Sequence, residues 1–407
     1  VFRKSRRPTC RILCAYAAGA ALALAIGIGV AVAAVSALMS TQMAQNVPRF
    51  NSTDTATTLG TTSDPSSVIP IIYGEQRTGT INVWKAVGVD TTYLVQIFAI
   101  CEGEVDSFKN LYMDNQKILL DGVYKDGVLP KGSIAAEYQQ YVEVEFSTGK
   151  PYGHVFTLAQ KYLGNSDAGW PDSATGNNIA ACCVVMRKRN SDLQNQADIL
   201  QPNSQVSVDV RGRLITDLNT GERVSSNNGP SQIVDYLTND RYGLGIQIDK
   251  IDLDSFKEAA RYAKLNSLFS DGATDPNGSF KENLTQLAGA FNGIITETFG
   301  KVTCRIDGPD VVQYDFNEDN INAGTVSLND GGSENYYNTL NVKYQDPSID
   351  YSDQVLRYPS DVTNDGTIAK DKRIIAKDIS YRFVKSKSQL DKIASIERNK
   401  SLLKQVI

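Results

Sequence analysis

The residues able to do acid, base or nucleophilic chemistry are few and scattered. The chain has 407 residues and a single histidine, His154, within Lys150-Pro-Tyr-Gly-His-Val. With no second histidine an HExxH zinc site is excluded, and a serine or cysteine triad would have to recruit this one residue as its base. The turn residues around it predict a structural histidine in a loop. Glu143 and Glu145 stand one residue apart in a strand-like run, so they share a face as paired glycosidase acids must. Nothing in the sequence marks either as an acid with a raised pKa, and a solvated strand face accounts for both. The six cysteines, Cys10, Cys14, Cys101, Cys182, Cys183 and Cys304, lack paired zinc spacing. Cys182 and Cys183 lie in an apolar run and read as buried free thiols.

Ligand loops fare similarly. Tyr242-Gly-Leu-Gly-Ile-Gln-Ile has no third glycine at the dinucleotide offset, and no GxxxxGK[ST] occurs. Against the calcium-loop template, aligning Gly278 puts Ala273 first and Leu284 last. Aligning Gly366 places Asp361 and Asp365 well but ends on Lys372. Both read as solvated turns. Arg187-Lys-Arg follows an apolar strand and reads as its exposed exit. The expectation is a protein without catalytic residues, cofactor or metal, and not an enzyme.

The elements that position these residues are mostly strands. Hydrophobic residues at 41% and charged residues at 21% describe a folded chain, and its length exceeds the roughly 250–300 residues one core supports. A net charge of -5 opposes a broad phosphate-binding surface and favours protein partners. β-branched and aromatic runs predict strands at Val68–Tyr73, Thr80–Val87, Tyr93–Ile100, Leu111–Asp114, Tyr141–Phe146, Ile179–Met186 and Gln205–Ile215. Between Ser231 and Phe291 the period changes to about 3.6. It predicts a helix capped by Ser231, a second from about Asp254 and a third from Phe280. A hairpin turning at Phe299-Gly300 follows, then strands at Thr339–Tyr344 and Gln354–Tyr358, and a helix over Ser388–Ile407. The predicted organisation is an N-terminal helix over 1–40, a polar linker over 41–67, a first β region over 68–105 and a second β-rich domain over 106–225. A helical region with its hairpin spans 226–300, and a further β domain ending in a helix spans 301–407. The missing initial Met and the uncapped end suggest a portion of a longer polypeptide.

The first residues differ in kind. Arg3, Lys4, Arg6, Arg7 and Arg11 precede an uncharged stretch from Ile12 to Val47 whose apolar core includes Leu13, Leu22, Leu24, Ile26, Ile28, Val30, Val32 and Leu38. About 20 apolar residues span a bilayer, whereas a signal peptide needs only about 7–15. An uncleaved helix able to enter a membrane is therefore expected. Gly19, Gly27 and Gly29 among alanines suit close helix–helix contact.

Ile69-Pro-Ile-Ile-Tyr-Gly-Glu-Gln-Arg-Thr-Gly-Thr-Ile-Asn-Val, with Tyr73 and Gly74, resembles the opening of the hub region in phage lambda-like tail tip (host specificity) proteins. Tyr93-Leu-Val-Gln-Ile-Phe-Ala-Ile-Cys-Glu-Gly-Glu-Val, with Glu102 and Gly103, resembles that family's second element. Ser231-Gln-Ile-Val-Asp-Tyr-Leu-Thr-Asn-Asp-Arg-Tyr-Gly-Leu-Gly-Ile, with Tyr236, Leu237, Arg241, Tyr242, Gly243 and Gly245, resembles its most distinctive motif. Phe291-Asn-Gly-Ile-Ile, Gly300-Lys-Val-Thr and Asn341-Val-Lys-Tyr-Gln-Asp-Pro follow in the same order. The resemblance runs from Val68 to Ile407, departs at Gly272–Ser279 and lacks the family's adhesive C-terminal modules.

It implies a mainly β, multidomain tail hub with α+β elements. Its β-barrel-like domains would form a pseudo-hexameric ring as a homotrimer at the distal end of the virion tail. Implied partners are distal tail and tail tube proteins, the tape-measure protein, tip or fibre proteins and the host membrane, with DNA only passing through the lumen. The N-terminal helices would bundle on the axis, close the lumen and enter the host membrane. Competing readings are a membrane-anchored bacterial envelope or secretion protein, motivated by Arg3 to Met39, and a tail-associated peptidoglycan hydrolase.

Overall fold

The computed structural model describes residues 60–62, 67–88, 92–165, 169–187, 204–308 and 336–402, with short pieces between 315 and 330 and at 405–406. The expected apolar helix over 1–40, and most of the expected linker over 41–67, lie outside the described residues. Among the described residues no helix is long and apolar enough to cross a membrane.

The protein is mainly β. In chain order the first strands are β1 (Ile72–Tyr73), β2 (Glu75–Gly79), β3 (Ile81–Val87), β4 (Tyr93–Glu102), β5 (Val105–Met113), β6 (Gln116–Lys117), β7 (Gly127–Val128) and β8 (Val142–Ser147). Helix α1 (Thr157–Leu163) precedes β9 (Ile179–Arg187), β10 (Val206–Thr216) and β11 (Arg223–Ser225). One antiparallel sheet runs β3-β4-β9-β8-β7. In the other, β10 lies between β2 and β5, with β6 beyond β5 and β11 on the C-terminal end of β10. Between them Phe98, Ile100, Phe108, Phe146, Cys182, Val184 and Val208 form a dry core. Each large apolar side chain so buried contributes roughly 1.5–3 kcal/mol. β10 alternates Val206, Val208 and Val210 inward with Ser207, Asp209 and Arg211, the period of a half-buried strand. β4 and β9 are buried on both faces, which explains their nearly unbroken apolar runs. On their far face Val95, Ile97, Cys183 and Val185 pack against Phe156, Leu158 and Ala159.

The second lobe begins with α2 (Gly229–Thr238), α3 (Leu253–Leu265), β12 (Gly272–Ala273), α4 (Phe280–Gly289) and the hairpin β13 (Gly293–Thr298)–β14 (Lys301–Ile306). The expected cap of the first helix is corrected: Asn228 is the N-cap, accepting from the Ser231 N–H, so Ser231 already lies inside the helix behind Pro230. The other two helices start near where their periodicity places them, and α4 carries a reciprocal Ser279–Glu282 capping box. Phe299 and Gly300 take positive φ of 52° and 76°, giving the two-residue hairpin turn.

After β15 (Asn329–Asp330), β16 (Thr339–Asp346) pairs antiparallel with β17 (Ser352–Tyr358). Helix α5 (Gly366–Asp371) leads to β18 (Ala376–Ser380), which returns parallel to β16. The expected terminal helix is shorter than read: α6 (Lys387–Leu402) stops before a short strand, β19 (Gln405–Val406), paired to β15. This lobe closes around Phe256, Leu287, Phe291, Leu340, Val342, Phe383 and Leu390.

β1 joins the lobes. It pairs with β12, and its neighbouring side chains alternate between cores, with Ile72 in the sandwich and Ile71 and Tyr73 in the second lobe.

Candidate functional site at the junction of the lobes

The strands and helix carrying the family-like motifs converge on a polar node. Tyr73, wholly buried on β1, donates its hydroxyl to Asp235 Oδ2 on α2 at 2.7 Å. Tyr242, just past the C-terminus of α2, donates to the same oxygen at 2.6 Å. Arg213 of β10 brings its Nε to 3.4 Å from that oxygen and lies 4.6 Å over the Tyr242 ring. Its Nη1 donates to the Glu102 carbonyl at 3.2 Å. The Glu102 carboxylate receives Arg241 on both oxygens, at 2.7 and 3.3 Å. Gly103 turns β4 into β5 at φ 86°, and a Cβ there would sit 1.4 Å from Arg213 Nη1. Only glycine leaves the guanidinium its place.

Of the motif residues, Tyr73 and Tyr242 thus meet at Asp235, and the Glu102–Arg241 pair is joined to them by Arg213 through the Glu102 carbonyl. Gly74 and Gly103 shape the backbone around them, and Gly243 packs against the Tyr236 carbonyl near Gly245. Tyr236 stacks on Phe280 with ring centroids 4.5 Å apart, and Leu237 is buried in the second-lobe core. Sequence reasoning missed the two residues at the centre. Asp235 lies inside the quoted motif, and Arg213 is a basic residue on a strand of valines; each was a legible anomaly.

The electrostatics lock protons in place. Burial, reinforced by the Asp235 charge, raises the Tyr73 phenol far above its ordinary range, and Tyr242 follows for the same reasons. Burial pushes the Cys101 thiol beside them up to about 12. Burial also raises the Glu102 carboxyl, against the opposing pull of Arg241 and Arg213. Phenols so held are permanent donors, so the node acts as bracing. Among the described residues no group of three or more His, Cys, Asp or Glu is placed to hold a metal ion.

The other residues singled out for chemistry have structural partners. Glu145 is wholly buried, and its carboxylate takes the Leu158 N–H at 2.7 Å, the Thr157 N–H and hydroxyl at 3.1 and 3.0 Å, and faces His154 Nε2 at 2.8 Å. Burial works to raise this carboxyl, but those hydrogen bonds outweigh it and hold it below the ordinary range. Glu145 therefore caps α1 from a neighbouring strand, since Phe156 at the N-cap offers no side-chain acceptor. Glu143 pairs with Lys161 and accepts from Tyr162 at 2.7 Å. The solvated strand face expected for these two acids is corrected to a helix-anchoring face. Asp365 caps α5 and pairs with Arg398 at 2.5 Å. A cleft of about 290 Å³ opens on the outer face of the second sheet, lined by Arg77, Lys109, Tyr112, Asp209, Asp350 and Tyr351.

Fold and node together describe a β-rich protein in which a buried polar cluster braces one lobe against the other. No protein-family profile matches the sequence. The chain is 22% identical over 353 residues to baseplate hub protein pb3 of Escherichia phage T5, a match covering 70% of this chain and 36% of that protein. The chain thus corresponds to little more than a third of that relative's length. Its fold is similar to a chain of the virion of a native gene transfer agent particle, with a TM-score of 0.52 at 12% identity, covering 94% of this chain and 86% of that one. The sequence similarity is to a baseplate hub protein rather than to lambda-like tip proteins in particular, and the structural likeness is one of fold.

Proposed function

We propose that this chain is a structural subunit of a phage tail hub, with no enzymatic role. The observation that carries the reading is the sequence similarity to a phage baseplate hub protein over 70% of the chain. Its physical companion is the node, where motif segments far apart in sequence brace two β-rich lobes. A hub transmits load between a tail tube and a tip, and such a part needs stiff subunits and wide interfaces. In this proposal three copies form a ring continuing the tube at the distal end of the tail. Their partners are tube, tape-measure and tip or fibre proteins, and DNA passes through the lumen. The apolar segment containing Leu13 to Leu38 bundles on the axis and enters the host membrane on opening.

Cryo-electron microscopy of intact particles tests this, with a three-fold ring of this chain at the tail end as the expected result. A monomeric mass in solution, with no copy of the chain in purified particles, overturns it.

A further inference from the structure

The hairpin β13–β14 ends in a residue placed there at a cost to its own fold. Phe299 is wholly exposed, and it holds the left-handed backbone that a two-residue turn reserves for asparagine, aspartate or glycine. A bulky side chain at positive φ is a conformational outlier, and an aromatic ring left in water gains nothing from burial. Ile251 bridges to Val302 on β14, which sets the turn Ile248–Lys250 alongside the tip half of the hairpin, and Ile248 is also exposed.

The first lobe carries an exposed apolar site of its own. Leu120 and Val123 stand on the loop between β6 and β7, at 49% and 63% exposure. That loop is held firmly. The Tyr124 hydroxyl donates to the Leu120 carbonyl at 2.9 Å, its N–H and carbonyl both pair with Phe108, and its ring lies 6.4 Å from that of Phe146 in the core. An apolar site so fixed loses little entropy on contact.

The charges flanking the two sites follow one order. Glu297-Thr-Phe299-Gly-Lys301 and Asp121-Gly-Val123-Tyr-Lys125 both read acid, spacer, apolar residue, spacer, lysine. Laid antiparallel, the segments bring Phe299 onto Val123, Glu297 to Lys125 and Lys301 to Asp121; laid parallel, like charges oppose. Asp121 is 89% exposed, and its surface pair with Lys117 at 2.5 Å is of the kind worth little and readily exchanged. An apolar centre rimmed by charges of both signs fits a protein, whereas a tip with one acid and one lysine has no net attraction for an anionic lipid surface. Because knob and acceptor sit on different lobes of the same chain, their contact is head-to-tail.

We infer that Phe299 of one copy seats on Leu120 and Val123 of a second copy of this chain. The inference rests on the hub reading above and names the surfaces that close its ring.

The test mixes isotopically distinguished copies of the whole chain carrying Phe299→Cys or Val123→Cys and treats them with a short bismaleimide. Cys101, Cys182, Cys183 and Cys304 are buried, and peptide mapping identifies the joined positions. A 299–123 adduct between differently labelled copies is the expected dominant product. Lys301→Glu should cut its yield severalfold, and Asp121→Lys in the same chain should restore it. Phe299→Asn should fold at least as stably as wild type, since Asn suits the turn, while weakening assembly about tenfold or more. Absence of the 299–123 adduct, a dominant 299–299 or 123–123 adduct, copies that remain monomeric, or a Phe299→Asn chain that assembles like wild type each overturns the contact. Presence of this chain in purified particles is read separately, so an adduct missing from copies found there refutes this contact and leaves the hub reading standing.

Discussion

Where Arg213 meets Asp235, both side chains are withdrawn from water, at 15% and 18% exposure; where Arg77 meets Asp350, the arginine is buried at 7% but the carboxylate is 85% exposed. Both pairs span the same two lobes. At the node, two phenols donate to one carboxylate oxygen with the Arg213 guanidinium beside it, so losing the acceptor leaves both phenols buried without a partner while Arg213 keeps the Glu102 carbonyl and the Tyr242 ring. At the outer seam, Arg77 keeps Asp209 at 2.7 Å and the Tyr112 ring at 3.7 Å whatever Asp350 does. The difference teaches that the charge types of a pair say little about its worth; what each partner retains when the other is removed decides it.

The sharpest way to break this comparison is Asp235→Ala, expected to destabilise by about 3–5 kcal/mol in chemical unfolding, because Tyr73 and Tyr242 lose a shared acceptor and Arg213 loses its carboxylate partner. A loss below 1 kcal/mol would place the node on the same footing as the seam. Next, Glu145→Ala should cost roughly 1–3 kcal/mol by leaving the first N–H groups of α1 buried without an acceptor. Hydrogen exchange should then rise at Leu158 before any change in β10. Tyr73→Phe removes one of the donors while Asp235 keeps Tyr242 and Arg213, so about 0.5–1.5 kcal/mol is expected. The smallest effect belongs to Asp350→Ala, below about 1 kcal/mol and shrinking further in high salt. A larger loss there would mean that Arg77 depends on its exposed partner after all.

Much of the fold was legible because its signals are local. The Phe299-Gly300 turn, the helical period leading into Phe280 and the β-branched run of β10 are each read from neighbouring residues. What escaped depends on distant partners. Helix α1 is short and has no cap of its own; its acceptor is Glu145, on a strand whose sequence reads as a solvated face. The parallel return of β18 onto β16 leaves no trace in either strand alone. At the node the motifs showed which segments matter, but not that Asp235 and Arg213 join them, since that follows from packing two lobes together.

One consequence follows from Ile71, Ile72 and Tyr73, whose side chains face alternate cores. A chain that sews two bodies with neighbouring stitches cannot slide between them: a shift of one position would drive Ile72 into the second lobe and pull Tyr73 away from Asp235. The angle between the bodies is therefore indexed by the pleat itself, like a key cut on both edges, and a torque on one lobe reaches the other without slack.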